Sequence, residues 1–241
     1  MSGVIGILGG MGPAATVDLY LKILKATPAE TDQDHLRVII DVNPKVPDRT
    51  RAILVGDVDP VPLMLETARN LERAGADFLL IPCNTAHYFY ERIQQGISIP
   101  VVHMIREAAK TATEQFPTLS KVGLLATTGT VTTGLYQKAF SAYGVTVITP
   151  DPWMQEHLVM EAVYGKEGIK AGISDQRPVG KLRDAARSLV DEGAQLIVAG
   201  CTEVSLVRQK VEIAVPWLDP PEVLARVAVE RALESYQRRQ E

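Results

Sequence analysis

The chain has 241 residues, of which 46% are hydrophobic and 22% charged, with a formal net charge of −4. This is the composition of an ordinary globular protein, and its mild acidity argues against a nucleic-acid or membrane-surface partner. No apolar run approaches a membrane span, and Met1-Ser2-Gly3 lacks the basic start of an export signal, so the expected location is cytoplasmic, where two thiols stay reduced.

Apolar runs alternate with segments of helical period along the whole chain. Residues 4–8 read as a buried strand, 14–25 as a helix and 36–42 as a second strand. Residues 43–59, punctuated by Pro44, Pro47 and Gly56, read as a long functional loop. A helix follows over 61–73, with Leu63, Leu65, Ala68 and Leu71 as inner-face candidates, then a strand at 78–81 and a helix at 85–95. A short strand at 101–102 and a helix over 104–115 close the first half. The second half repeats this order: strand 122–126, helix 134–142, strand 145–148, helices from about 154 and over 178–191, strand 196–199, helix 204–210, strand 217–218 and a closing helix over 221–238.

Landmarks confirm a repeat. Cys83 and Cys201, the only cysteines, lie 118 residues apart, as do Gly75 and Gly193; Gly6 and Gly123 lie 117 apart, and Pro100 and Pro216 lie 116 apart. A period this long is a domain, not a solenoid unit. Continuous apolar strands between helices imply parallel sheets covered on both faces, with ligand sites at the carboxyl ends of the strands. The predicted fold is therefore α/β, with two pseudo-symmetric domains, each a parallel sheet flanked by helices, and an active-site cleft between them. The expected first domain is 1–100 plus 215–241, the last strand and helix crossing back, and the second is 101–214.

Three sequence features carry chemistry. Gly10-Met11-Gly12-Pro13-Ala14-Ala15 fits a dinucleotide fingerprint formally, but Pro13 removes an amide that a pyrophosphate would need; a tight turn lining a small-anion pocket is the plainer reading. The hydroxyl-rich turn Ala126-Thr127-Thr128-Gly129-Thr130 suits a carboxylate. The cysteines could be buried apolar residues, a disulfide, zinc ligands or acid–base groups. Zinc lacks paired ligand spacing here, so no metal is expected. Equivalent placement at two strand ends favours acid–base chemistry. A thiol at a helix N-terminus is expected to have its pKa lowered from about 8.5 toward neutrality. Asn84, Thr85 and Thr202 beside the cysteines are helix caps, carboxylate donors, or both.

Gly9-Gly10-Met11-Gly12-Pro13, Asn43-Pro44, Pro47-Asp48-Arg49-Thr50, Pro82-Cys83-Asn84-Thr85-Ala86-His87, Ala126-Thr127-Thr128-Gly129-Thr130 and Gly200-Cys201-Thr202-Glu203 together resemble the aspartate/glutamate racemase family, most nearly its aspartate branch. Glutamate racemases usually follow the second cysteine with Thr-His, and here Glu203 takes the histidine's place. The resemblance implies a racemase without pyridoxal or any other cofactor, acting on an amino acid with a second carboxylate. Cys83 and Cys201 would be its two bases, one thiolate and one thiol at the start of turnover. It implies substrate contacts from Met11, Asn43, Arg49, Asn84, Thr85, Thr127, Lys170 and Thr202, with Asp48 and Glu203 tuning Arg49 and Cys201. Lys170 fits the family's Ile-Lys-x-Gly segment, with Lys166 a nearby competitor. His87 and His103 are packed residues or helpers. Homodimers are usual in the family. The alternatives are a glutamate, broad-specificity or hydantoin racemase, a maleate-type isomerase, or a two-lobed binder of a small acid.

Overall fold

The computed structural model describes residues 3–237. Its first half runs β1 (Ile5–Gly9), α1 (Pro13–Ala26), β2 (Val38–Val42), α2 (Arg49–Val55), α3 (Val61–Arg73), β3 (Phe78–Leu80), a 3-10 turn (Thr85–Phe89), α4 (Tyr90–Gln94) and α5 (Met104–Gln115). The second half runs β4 (Lys121–Leu125), α6 (Thr128–Thr132), α7 (Leu135–Ser141), β5 (Thr146–Ile148), α8 (Pro152–Met154), a π-helical stretch (Gln155–Met160) and α9 (Glu161–Tyr164). It ends with α10 (Gln176–Asp191), β6 (Ile197–Ala199), α11 (Thr202–Val207), β7 (Trp217–Leu218) and α12 (Pro220–Gln237). The closing helix was expected to reach residue 238, which lies outside the described residues.

The strands form two parallel sheets, β2-β1-β3 and β5-β4-β6-β7. The repeat extends to single hydrogen bonds. Gly6 lies opposite Leu79, and Gly123 opposite Ile197. The Leu79 amide donates to the Pro100 carbonyl at 2.9 Å, and the Ile197 amide to the Pro216 carbonyl at 3.0 Å.

Contacts divide the chain into two units, Met1–Glu107 with Pro221–Glu241, and Ala108–Pro220. In the first, Ile5, Ile7, Phe78 and Leu80 share a core with Leu19 and Ile23 of α1 and with Leu224, Ala225 and Ala228 of α12. Leu8, Leu79 and Ile81 point the other way, onto Met64, Ala68 and Leu71 of α3. This is the period-two alternation of a sheet buried on both faces. Met64 takes the innermost place; Leu63 and Leu65 pack only partly against it. In the second unit Leu125, Ile197 and Ala199 pack on Val179, Leu182, Ala185 and Leu189 of α10.

Both expected domain boundaries move. Trp217–Leu218 does not cross back but completes the second sheet as β7, because its amides and carbonyls extend the ladder on β6. The crossing is left to α12. Val101 bridges Leu79, and Met104 joins the core of Ile5, so residues 101–107 belong to the first unit. The loop 43–59 is also not irregular throughout. Asp48 caps α2 by accepting from the Arg51 amide at 2.8 Å, and Gly56 ends the helix at φ +66°. Among the described residues no helix is long and apolar enough to cross a membrane.

Candidate active site

In the first unit the carboxyl ends of β1 and β3 carry the sequence motifs. Gly10 turns the chain at φ +97°, and a Cβ there would lie 2.4 Å from the Asn43 backbone, so the turn after β1 presses against the end of β2. Met11 is buried in the same apolar cluster as Val46 and Cys83. The Asn43 side chain is engaged locally, donating to Thr67 Oγ1 at 3.4 Å and accepting from the Lys45 amide at 3.1 Å. Arg49 is buried, and its guanidinium donates to the carbonyls of Val46 and Pro47 at 3.3 and 3.0 Å. Asp48 serves as the helix cap described above.

Cys83, Asn84 and Thr85 are all buried just past β3. The helix expected over 85–95 begins as a 3-10 turn (Thr85–Phe89) and is α-helical only in α4 (Tyr90–Gln94). His87 lies beneath it, 2% exposed. Its Nε2 accepts the Met104 amide at 3.1 Å, so Nδ1 carries the proton and donates to the Cys83 carbonyl at 2.9 Å. Burial lowers its pKa to about 4, and the ring is neutral near pH 7. The Cys83-to-His87 spacing of one helical turn was the only hint of this clamp in the sequence. His103 packs against the rings of His87 and Tyr90.

In the second unit, the turn after β4 is held by the π-helical stretch. Gln155 Nε2 donates to the Ala126 carbonyl at 2.9 Å and to Thr128 Oγ1 at 3.3 Å, and the Thr128 amide meets Met160 Sδ at 3.3 Å. Thr127 and Thr130 are buried, their hydroxyls 3.3 Å apart. Cys201, at the end of the neighbouring strand β6, is the N-cap of α11. Its Sγ donates to Glu203 Oε2 at 2.9 Å, which also accepts from Thr202 Oγ1 at 3.2 Å. Lys170 Nζ donates to Glu203 Oε1 at 2.6 Å and lies 5.3 Å from the centre of the Tyr164 ring. Lys166 instead lines a separate surface pocket of about 450 Å³ with Glu161, Glu167, Arg177 and Lys181.

The electrostatics correct one expectation. Cys201 does not have the lowered pKa anticipated for a helix-capping thiol: burial, then the Glu203 carboxylate, push it well above its ordinary value against the pull of Lys170. Desolvation outweighs the end of a six-residue helix. For Glu203, burial opposes ionisation, but the Lys170 ammonium and the Cys201 hydrogen hold its pKa below the usual carboxylate range. Tyr136, fully buried, is pushed up by burial and by the charges of Asp219 and Cys201. Asp219 accepts from Ser205 Oγ at 2.6 Å and pairs with Arg208 at 3.0 Å beside the same helix. Tyr136, Gln155 and Asp219 gave no recognisable signal in the sequence. Both cysteines are free thiols.

Comparison with known proteins gives this geometry a context. The Picrophilus torridus aspartate racemase superposes with a TM-score of 0.80 at 26% identity, covering 98% of each chain. The Bacillus subtilis broad specificity amino-acid racemase RacX is 28% identical over 235 residues, 94% of this chain and 96% of that one. A Corynebacterium kroppenstedtii glutamate racemase is 28% identical over 148 residues, covering 61% of this chain and 48% of the relative. Two parallel α/β sheets flanked by helices are thus the architecture of the two-domain racemases. The chain belongs to the Asp/Glu/Hydantoin racemase family, which it matches over residues 8–228.

Proposed function

We propose that this racemase interconverts L- and D-aspartate without a cofactor, using Cys83 and Cys201 as its two acid–base groups. The observation that carries the reading is the equivalent position of the only two cysteines, each just past the carboxyl end of the parallel strand that pairs with the first strand of its unit, β3 with β1 and β6 with β4. One thiolate removes the Cα proton, and the other thiol returns a proton to the opposite face. Each turnover leaves the proton states of the two sulfurs exchanged.

The surroundings of Cys201 support a thiol at rest, the proton donor of the first turnover. A turnover that gives this hydrogen to the substrate leaves Cys201 as the thiolate of the reverse direction, and in the free enzyme Glu203, at which the hydrogen points, is the acceptor that forms the same thiolate. Removing a proton from an amino-acid Cα demands stabilisation of the carbanion, supplied by donors aimed at the substrate carboxylates. Asn84, Thr85, Thr127 and Thr202 lie at the strand ends and supply such donors, and Arg49 and Lys170 provide the cations a dicarboxylate needs. Met11 and Asn43 shape the turn where β1 and β2 end in the first unit. Aspartate is favoured by the full-length likeness to an aspartate racemase and by Glu203 in place of histidine. A broad-specificity amino-acid racemase is the second reading, favoured by the likeness to RacX.

The test is Cα proton exchange. The reduced protein is incubated with L-aspartate in D₂O without pyridoxal phosphate, and deuterium uptake and D-aspartate are followed. Uptake with D-product, abolished in both Cys83→Ser and Cys201→Ser, is the expected result. Racemisation that survives either substitution overturns the two-cysteine mechanism, and activity on other amino acids but not aspartate overturns the specificity.

A further inference from the structure

Gln155 opens the π-helical stretch and is 7% exposed. Interruptions of this kind in helices are frequent at functional sites. The orientation of its amide is dictated by its neighbour. The Ala126 carbonyl can only accept, so the atom 2.9 Å from it is nitrogen, which also reaches Thr128 Oγ1. Oε1 is left buried with no hydrogen-bond partner among the described residues. A buried acceptor without a donor carries a desolvation penalty that a ligand N–H would relieve.

Its place in the unit says which ligand group this would be. Ala126 follows the end of β4, and Cys201 follows the end of β6, the strand paired with β4. Gln155 therefore stands at the carboxyl edge of the same sheet as Cys201, where ligands of parallel sheets bind. The Thr127–Thr130 turn beside it presents hydroxyls suited to a carboxylate. An acceptor set against such a turn complements a carboxylate and an ammonium on one carbon, the defining feature of an α-amino acid.

We propose that Gln155 Oε1 accepts a hydrogen bond from the substrate's α-ammonium group and so selects amino acids over the corresponding dicarboxylates. This rests on the amino-acid racemase reading above. The experiment is calorimetric binding to the whole protein of the dicarboxylic amino acid it racemises and its deaminated analogue: aspartate with succinate, or glutamate with glutarate. The readout is the ratio of the two dissociation constants. In Gln155→Met the preference for the amino acid falls by about tenfold or more, while the analogue binds within about threefold of wild type. Equal weakening of both ligands overturns the assignment and leaves Gln155 as a brace for the turn; an unchanged ratio overturns it as well. Gln155→Leu is the second variant should the first not fold. It too removes Oε1, so the preference for the amino acid falls; an unchanged ratio overturns the proposal. A wild type that exchanges no Cα proton from any amino acid fails the racemase reading. One that racemises but keeps its discrimination in Gln155→Met fails this proposal alone.

Discussion

Cys201 and Glu203 share a hydrogen: the thiol donates to Oε2 across 2.9 Å, while Lys170 holds the other carboxylate oxygen at 2.6 Å. The carboxylate accepts the thiol's hydrogen bond, is the proton acceptor in the proposed mechanism and, through its charge, is a reason the thiol keeps its proton. Glu203→Gln removes the proton acceptor and the charge. The pH midpoint for alkylation of Cys201 moves down, yet on the proposed two-cysteine mechanism proton exchange from the enantiomer that Cys201 would deprotonate falls by about 100-fold or more. Alkylation rates by mass spectrometry and exchange rates for each enantiomer in D₂O separate the two. A midpoint that does not move would show that burial alone sets this thiol.

His87 gives a stability prediction with a definite sign. Its pKa falls from the ordinary 6.5 to about 4 because burial penalises the charged ring. Between those values the unfolded chain binds a proton that the folded protein does not, so stability falls as pH drops from about 6.5 toward 4. At about 1.4 kcal/mol per pH unit the contribution is about 3 kcal/mol. His87→Gln should be less stable than wild type at pH 7 and should lose that part of the acid dependence. Urea denaturation of both proteins between pH 7 and pH 4 measures the difference; parallel slopes would contradict a neutral His87.

Gly200 immediately precedes Cys201, and its strand end is tightly packed. A Cβ there would lie 2.4 Å from Leu124 Cδ1 and 3.0 Å from Ala126 Cβ, and Leu124 is fully buried. Gly200→Ala should destabilise by about 1–3 kcal/mol through overpacking. It should also lower racemisation by displacing the Cys201 backbone. Chemical denaturation alongside an activity assay checks this; full activity with wild-type stability would mean that Leu124 yields at no cost.

Much of the architecture is legible in the sequence. Strands buried on both faces must be apolar at every position, so residues such as Ile5, Ile7, Phe78 and Leu80 announced themselves, and the repeat of Gly6, Cys83 and Pro100 at Gly123, Cys201 and Pro216 marked two like units. Single positions went astray where pairing or capping decided. Trp217–Leu218 stayed with β6 because a free ladder edge was available, and Asp48 turned part of a presumed loop into α2.

The sequence by itself determined the local content of this protein: which runs are strands, which face of a helix is apolar, and that each half follows an equivalent strand with one cysteine. Only the tertiary structure decided what those cysteines meet. Lys170 and Glu203 are 33 residues apart, Gln155 and Ala126 are 29 apart, and His87 and Met104 are 17 apart. None of these pairs follows from periodicity, because chain folding and not local propensity brings them together. The protonation of Cys201 likewise depends on burial set against two nearby charges, and desolvation exists only once the surrounding core has closed around the thiol.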